Sequence, residues 1–515
     1  MERCCLNTFS KQGRIFNVKK RIFLVLAVIM AVIFAFGCEE KAEKSEEISV
    51  VFLSQDPAMG QVKGNGEQTL KKGEKTDWVM AVPSEGFEFV GWSDGITTAK
   101  RENESFEADS VISACFRLPS SELPLFTFTM EGGNEVTSKT EYAAMTLSIS
   151  NADDEFCVEE IAGKIRGRGN ATWNMEKKSY RLKLEEKINL LGQGKGEAKD
   201  WILLANHCDQ TLLRNYVAFY LGRQLSNIEY SSSGSFVEVV INGDYKGVYL
   251  LCEQVEVNKN RVNIEVDAEK LDTGYLIELD QYADDDEGAE EGVTFFRLGD
   301  RLYTVKSDAD TEQMEFIKDY VTRVDDAIHR GKKAEIEALI DLPSCVDMYL
   351  LQEFMLNIDV GWSSFFMYKK PDGGKLYFGP VWDFDLAAGN DRRLYSGSHE
   401  GIYVADGGGM GMVQESKWYI ALMKQAWFRK MVISRWEETK DIFAGVSSVA
   451  KEAASSMSSA AERNFMRWDI FGQIINHEPD VVVMLQNYNQ HTKHLCSWLE
   501  KRYIWLDNYF LENAK

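Results

Sequence analysis

The sequence predicts an α+β protein in which a strand-rich half precedes a helix-rich half. Two observations predict this. Before Glu312 the apolar residues alternate in short segments that are separated by Gly-rich and Asn-Gly turns, and after Glu312 they recur every three or four residues. Hydrophobic residues make up 44% of the 515 residues, which is enough for substantial cores and excludes a disordered chain. A chain of this length is expected to form two or three domains.

The N-terminal segment has the order of an export signal. An apolar run from Ile22 to Phe36 follows a basic region and ends at Gly37-Cys38. We expect residues 1–38 to be a lipoprotein signal peptide, with a lipid on Cys38 that anchors the protein to a membrane outside the cytoplasm. The charged residues 39–47 would then form a tether. An alternative stays open, in which the run is a single membrane anchor and the cysteine is incidental.

Residues 48–119 have the pattern of a small β-rich module. Short alternating segments (ISVVFLS, WVMAVPS, FEFVGW and VISACFRL) are separated by turns such as Gly-Asn-Gly and Ser-Asp-Gly. The stretch GQVKGNGEQTLKKGEKTDWVMAVPSEGFEFVGWSDG, with ISACF at its close, resembles the bacterial internalin-type B repeat. That resemblance implies a spacer or a contact module, and no chemistry.

Residues 120–515 are expected to form one larger domain. Strands are predicted first, then a helix over Thr211–Leu225, and then two strands joined through Asn242-Gly243. Two helical stretches follow, MEFIKDYVTRVDDAIH and PSCVDMYLLQEFMLNID, and a β pair comes after them (FFMYKK and KLYFGPVWDFD). The C-terminal hundred residues predict helices. This succession fits a bilobal α+β catalytic domain.

The charge and the cysteines exclude two classes of partner. The formal net charge is −23, so the surface repels nucleic acid, and no basic cluster after the first 21 residues offsets that repulsion. Outside the leader the six cysteines are scattered singly, and the absence of a C-x-x-C pair makes a zinc knuckle unexpected.

The first candidate site is a Gly-rich basic stretch. It runs from Gly163 to Trp173 (GKIRGRGNATW) and is followed by KKSYRLKL, which ends at Leu184. Glycines between strands let backbone N–H groups approach a ligand, and the nearby cations suit an anion such as phosphate. The alternative is structural, because Gly-Arg-Gly is often a tight turn and a basic strand face is often solvated.

The second candidate site is a set of carboxylates around a hairpin. Asn357-Ile-Asp359 is placed at the end of a helix, and a β pair then carries Trp382-Asp383-Phe384-Asp385. An Asp that orients a hydroxyl, beside others that hold Mg²⁺ against phosphate oxygens, is the arrangement that phosphoryl transfer requires. A helix cap or a calcium loop are the alternatives. The aromatic residues around the acids favour a shaped cleft.

From about Leu123 to the C-terminus the chain resembles the CotH (spore coat protein H) kinase family. Five stretches carry the resemblance in order: RGRGNATWNMEKKSYRLKL, NLLGQGKGEAKDWILLANHCDQTLLRN, FVEVVINGDYKGVYLLCEQVEVNKNRV, DTGYLIELD and NIDVGWSSFFMYKKPDGGKLYFGPVWDFDLAAGN. The family looks like highly diverged protein kinases that bind ATP and phosphorylate Ser or Thr of secreted or coat proteins. The resemblance therefore implies a kinase-like fold with a β-rich N-lobe and a helical C-lobe.

The resemblance also implies roles for the acids. Asp359 resembles the catalytic Asp that accepts the hydroxyl proton. Asp383 resembles the metal-binding Asp, and Asp385 would be a second ligand for Mg²⁺ or Mn²⁺. Relatives carry an Asn about five residues after the catalytic Asp, whereas this chain has Ser363-Ser364 there. Either Asn357 substitutes as a metal ligand, or one metal suffices.

Cations and one glutamate complete the implied ATP site. Lys178 matches the Lys of the Lys-x-Tyr-Arg strand and is expected to contact the α- and β-phosphates. Arg181 and Lys183 point to the opposite strand face, so only one set can line the site. The remaining implied contacts are Arg166 and Arg168, which would close over the triphosphate, and Glu253, which either lies at a nucleotide-binding hinge or anchors Lys178. Asp209 and Arg214-Asn215 are expected to be structural, at a helix start.

Two functions from different classes follow. The first is an ATP- and Mg²⁺-dependent Ser/Thr kinase that acts on exported or cell-envelope proteins. The second is a non-catalytic surface adhesin, or a carbohydrate- or wall-associated binding protein, with a kinase-like fold. Phosphotransfer to a glycan or a small molecule would use the same residues as the first.

Overall fold

The structure is a computed structural model that describes residues 47–55, 57, 59–84, 87–117, 122–284, 294–409 and 414–513. The expected signal peptide with Cys38, and the tether up to residue 46, lie outside the described residues. Among those that are described, no helix combines the length and the apolarity that a membrane span requires. The chain divides into two compact units, the first made of Met1–Leu53, Val62–Met80 and Lys100–Ser113, and the second of Ser54–Gln61, Ala81–Ala99 and Ala114–Lys515.

The predicted strands of the N-terminal module are present. The strands described before residue 118 are β1 (Glu47–Ser54), β2 (Gly60–Gly64), β3 (Glu67–Lys71), β4 (Val79–Pro83), β5 (Glu88–Trp92), β6 (Lys100–Arg101) and β7 (Ser110–Arg117). In the first unit β1 pairs antiparallel with β3, and β4 pairs with β6. The alternation of β1 buries Ile48, Val50 and Phe52. In the second unit Trp92 at the end of β5 pairs with Ala114 of β7.

Seven strands of the second unit form a closed barrel. They are β8 (Leu125–Met130), β9 (Ala143–Ser150), β10 (Val158–Arg168), β11 (Ser179–Ile188), β12 (Ala198–Leu204), β13 (Gly234–Ile241) and β14 (Asp244–Glu253). Their spatial order is β10-β11-β12-β14-β13-β8-β9, and β9 pairs with β10 to close it. The β13–β14 turn is the predicted Asn242-Gly243 hairpin, and both residues have positive φ, as such a two-residue turn requires. The sequence predicted six of these seven strands, but it predicted neither β12 nor the closure of the strands into a barrel.

Alternation along the strands fills the barrel and decides which side chains leave it. In β11 Tyr180, Leu182 and Leu184 are buried inside with residues such as Phe126 and Phe128, whereas the side chains between them point outward. The outer face of β11 therefore carries its cations.

The helix between β12 and β13 begins later than predicted. Helix α1 covers Arg214–Gln224, because the carboxylate of Asp209 accepts the backbone N–H groups of Thr211 (2.9 Å) and Arg214 (2.8 Å) and holds residues 209–213 in a turn. The expected structural role of Asp209 and Arg214 at a helix start agrees with this geometry.

A second, five-stranded sheet follows the barrel. Its strands are β15 (Tyr275–Leu279), β16 (Thr294–Leu298), β17 (Arg301–Val305), β18 (Phe365–Lys369) and β19 (Leu376–Phe378). They lie in the order β16-β17-β15-β18-β19, and all neighbours are antiparallel. The predicted β pair is β18–β19.

Helices make up most of the remainder, as predicted. They are α2 (Thr311–Arg330), α3 (Lys333–Glu337), α4 (Leu342–Met355), α5 (Lys417–Met423), α6 (Ala426–Ser456), α7 (Ser458–Arg467), α8 (Asp480–Val483) and α9 (Tyr488–Asn513). A capping box of Asp310 and Gln313 starts α2, and Gly331 ends it in the left-handed conformation. The order of strands and helices confirms the α+β class.

One predicted boundary is wrong. We expected Asn357-Ile-Asp359 to end a helix, but α4 already ends at Met355, because Leu356 adopts a left-handed conformation with a φ of 46°. Asn357 instead begins a 3-10 turn, Ile358–Gly361, and its side chain accepts the N–H of Asp359. The acid thus lies on a short turn after the helix.

Candidate functional site

A cavity of about 1050 Å³ opens in the second unit. Its wall is formed by β10 and β11 of the barrel, by β15, and by the segments that follow β12, β17, α4 and β19. Six of the predicted site residues line it together: Arg166, Arg168, Arg181, Asp359, Asp383 and Asp385. Residues that are far apart in the chain thus meet in one cavity.

The loop that carries Asp383 is held in an unusual backbone conformation. Asp383 has a φ of 65°, which costs a non-glycine residue about 1–3 kcal/mol unless its surroundings fix it. Here Asn215 accepts the N–H of Phe384 at 2.7 Å, and Asn357 donates to the Asp383 carbonyl at 3.4 Å. The hydroxyl of Ser364 donates to the Asp383 carboxylate at 2.8 Å. These contacts orient the carboxylate of Asp383 in the cavity.

Asp359 lies close to Asp383. Its backbone N–H is bound by Asn357 at 3.2 Å, and Gln414 donates to its carboxylate at 3.1 Å. Burial, and after it the negative charge of Asp383, raises the pKa of Asp359 to about 7. A carboxylate with a pKa near neutrality is well suited to accept a proton.

Asp385 is the third of the predicted acids in the cavity. The thiol of Cys208 donates to it at 3.1 Å, and Asn390 donates to its carbonyl oxygen at 2.8 Å. Burial and the charge of Asp383 raise the pKa of Asp385 to about 8. Burial also raises the pKa of Cys208 well above its ordinary value, so this thiol remains protonated and can keep donating.

The donor set fits a hard cation. The three predicted acids line one cavity, and burial together with the charge of Asp383 raises the pKa of Asp359 and of Asp385. Carboxylate oxygens are the ligands that Mg²⁺ prefers. Among the described residues, however, no group of three His, Cys, Asp or Glu side chains is close enough together to hold a metal ion. Asn357 does not line the cavity, because both ends of its amide bond to the loops of Asp359 and Asp383.

Arg168 is a cavity cation that interacts with Asp383. Its guanidinium lies 5.3 Å from the ring centre of Trp382, the residue before Asp383, and interacts electrostatically with Asp383 and Glu278. Burial lowers its pKa. Within the described part of the chain Arg168 has no hydrogen bond and no ion pair, so its donors are available to a ligand.

Two further arginines, Arg166 of β10 and Arg181 of β11, are bound to other groups of the protein. Arg166 donates to the carbonyls of Lys139 and Gly167 and stacks on Tyr142, while Arg181 binds Asp200 at 2.9 Å. Both still line the cavity.

Three implied contacts lie outside the cavity wall. Lys178 donates to the carbonyl of Trp173 at 2.5 Å, and Lys183 is exposed on β11. Glu253 is 2% exposed and accepts the backbone N–H of Ser233 at 2.6 Å and its hydroxyl at 2.8 Å. Its carboxylate therefore joins β14 to the start of β13 and does not anchor Lys178.

The sequence did not identify Gln414, Lys306 or Glu278 as part of the site, and it predicted for Asn215 only a structural role at a helix start. Asn215 and Gln414 bind the acidic loops, and Lys306 and Glu278 line the cavity as an ion pair. Of the residues that were not identified, only Glu278 could have been found from a local pattern, because it and Asp280 alternate with apolar residues in GYLIELD.

A buried ion pair supports the loop that carries Asp383 and Asp385. Arg214 and Asp209 have 1% and 0% exposed side chains, and their charged atoms lie 2.5 Å apart. Arg214 also donates to the carbonyls of Ala387 (2.9 Å) and Ala388 (3.3 Å). This pair ties the start of α1 to the loop that follows Asp385.

We expect Arg214→Ala to destabilise the protein strongly. The substitution leaves Asp209 buried without its counter-charge, which typically costs about 3–5 kcal/mol. Chemical unfolding of the full chain measures the loss. Arg330→Ala, which removes an exposed ion pair with Glu335, is the matched control and should change little. Equal stability of the two variants would contradict this account.

We also expect the metal-free protein to lose stability as the pH rises from about 7 to about 8, and the loss to level off above the raised pKa values of Asp359 and Asp385. In that range the folded protein releases the protons of Asp359 and Asp385, which the unfolded chain has already lost, so the folded state binds more protons. The buried His207, His491 and His494, whose pKa is lowered to about 4, titrate below this range. Melting temperatures in a chelator measure the effect. Asp385→Asn should flatten the profile, and a profile that rises in both proteins would refute the argument.

Comparison with known families agrees with this geometry. A family model described as CotH kinase protein matches residues 165–506, more than half of the chain, and a divergent InlB B-repeat domain model matches residues 54–120. Arg168, Asp359, Asp383 and Asp385 all fall within the first match. None of the curated proteins compared with the chain matches it.

Proposed function

The chain belongs to the CotH kinase protein family and carries a divergent InlB B-repeat domain, and from this premise we propose that it is an ATP- and Mg²⁺-dependent phosphotransferase. Its acceptors would be Ser or Thr residues of exported or cell-envelope proteins. One observation carries the proposal: Asp359, Asp383 and Asp385 line one cavity with Arg168, whose guanidinium interacts electrostatically with Asp383 and makes no hydrogen bond or ion pair to the described residues.

Each residue has a distinct part in this proposal. Asp383 and Asp385 would hold Mg²⁺, which when bound neutralises phosphate charge. Arg168, fixed by its stack on Trp382, would bind phosphate oxygens and orient the triphosphate. Asp359 would accept the proton of the acceptor hydroxyl, for which the raised pKa of its carboxylate is suited. The barrel and the helical region would correspond to the two lobes of a kinase.

The proposal includes the cellular setting. Export by the segment that ends at Cys38, with a lipid on that cysteine, would place the domain outside the cytoplasm at a membrane. The N-terminal module would then act as a spacer or as a contact surface for the protein substrate.

The second candidate is a non-catalytic surface adhesin or wall-associated binding protein. Its supporting observation is the site's departure from the family pattern, because Ser363-Ser364 replaces the expected Asn and Ser364 is engaged with Asp383. A B-repeat module also suits a contact role.

Transfer of label from ATP separates the two candidates. The full chain is incubated with γ-labelled ATP and Mg²⁺, alone and with a Ser/Thr-rich acceptor protein, and a chelator serves as the control. The kinase proposal predicts Mg²⁺-dependent label on Ser or Thr, located by mass spectrometry. Absence of both label and ATP binding would reject it in favour of the adhesin. Label that appears only on an added glycan or small molecule would keep the chemistry and reject the protein acceptor.

A further inference from the structure

The cavity wall contains an ion pair to which the proposed function assigns no role. The amine of Lys306 lies 2.8 Å from the carboxylate of Glu278 and 3.9 Å from that of Asp280. All three side chains line the cavity that contains Asp359 and Asp383. The Lys306 side chain is 30% exposed and the Glu278 side chain is 11% exposed, so Glu278 is the more buried of the two.

The register of the sheet fixes this pair. Glu278 of β15 lies opposite Thr304 of β17, and Lys306 follows Thr304 by two residues on the same face. Lys306 donates its backbone N–H to the carbonyl of Leu276 at 2.7 Å, which extends the ladder past the end of β17. Diagonal neighbours on one face are within reach of long side chains. The position of the amine is therefore set by two strands and by one buried carboxylate.

The pair also belongs to the charge network of the acids. Burial raises the pKa of Glu278 to about 7, the charge of Asp383 raises it as well, and Lys306 opposes the shift. Arg168 interacts electrostatically with both Glu278 and Asp383. Lys306 and Arg168 are thus two cations that share the carboxylate of Glu278.

Lys177 and Lys178 are committed to other partners. The amine of Lys177 donates to the carbonyls of Ala205 and Val248 and to the side chain of Asn464, which uses its three donors. Lys178 donates to the carbonyl of Trp173 and stacks on that ring at 5.2 Å. Neither arrangement presents an amine to Asp383.

We propose that Lys306, positioned by Glu278, is the lysine that contacts the nucleotide phosphates, in place of Lys178. The inference rests on the proposed function, since it assigns a residue to the same nucleotide site. Lys306 supplies a point charge for phosphate oxygens beside Arg168, and Glu278 keeps that charge within the cavity. Lys306 makes the contact, and Glu278 acts through it.

Calorimetric binding of ATP and of adenosine to the full chain tests the assignment without any need for turnover. We expect Lys306→Ala to weaken ATP binding roughly 10- to 100-fold while adenosine binding changes less than about twofold, because only the phosphate contact is lost. Lys306→Arg, which keeps the charge, should recover part of the ATP affinity. Glu278→Gln should show a smaller loss in the same direction. Lys178→Ala should bind ATP like the wild type.

The outcomes separate this inference from the proposed function. Wild-type protein that binds neither ATP nor adenosine would overturn both. If the wild type binds ATP and Lys306→Ala binds it equally well, the assignment of Lys306 alone is wrong. A loss confined to Lys178→Ala would return the phosphate contact to that residue. Equal losses of ATP and adenosine in Lys306→Ala would show a structural role, and would also overturn the assignment.

Discussion

Replacing Asp383 with alanine is expected to abolish Mg²⁺-dependent ATP binding, with a loss of affinity of at least about 100-fold. A metal ion bridges nucleotide phosphates to the protein in such sites, and Asp383 is the carboxylate whose charge reaches both other acids of the cavity. Calorimetric titration of the full chain with ATP, in Mg²⁺ and in a chelator, measures the change.

Two further variants make the Asp383 result specific. The residue has a φ of 65°, a conformation that Asn tolerates better than Ala, so Asp383→Asn keeps the loop and should still lose most of the affinity. Asp308→Ala removes a carboxylate from the same cavity wall and should bind ATP normally. Retained Mg²⁺-dependent binding in both Asp383 variants would contradict the assignment of the metal.

Replacing Asp359 with asparagine is expected to reduce phosphoryl transfer by roughly 10²- to 10⁴-fold while ATP binding stays close to that of the wild type. Asparagine has the shape of aspartate and can still accept the hydrogen bond from Gln414, but it cannot take the proton of the acceptor hydroxyl. Initial rates of label transfer at saturating ATP, measured beside calorimetric binding, separate the two effects.

Two results would contradict the role predicted for Asp359. If transfer continues at the wild-type rate, another group accepts the proton and Asp359 is structural. If binding and transfer fall together, Asp359 belongs to the metal site. We thus expect the Asp383 variants to lose ATP binding and the Asp359 variant to lose transfer. A structural defect common to both variants would not produce this difference.

Local patterns were enough to predict much of the fold. Alternation in β11 buries Tyr180, Leu182 and Leu184, and the Asn242-Gly243 turn joins β13 to β14 as expected. Asp359 and Asp383 lie 24 residues apart in the sequence, and the hairpin β18–β19 between them was predicted. Each of these features depends on residues that are near neighbours in the chain.

The cation contacts could not be predicted in the same way. Lys178 precedes the first residue of β11, so the alternation that orients Arg181 does not apply to it. Glu253 is bound by Ser233, twenty residues earlier in the chain, through the pairing of β13 with β14. The Lys306–Glu278 pair depends on the register of β15 and β17. Pairing between strands, which the local sequence does not encode, decided the contacts of Glu253 and of Lys306.

The most direct test of the central claim is a crystal structure of the full chain with Mn²⁺ and a non-hydrolysable ATP analogue. We predict an anomalous manganese peak within coordination distance of the Asp383 carboxylate, with the triphosphate beside Arg168 and the terminal phosphate towards Asp359. An empty cavity at saturating nucleotide, or a nucleotide bound away from these three residues, would contradict the account.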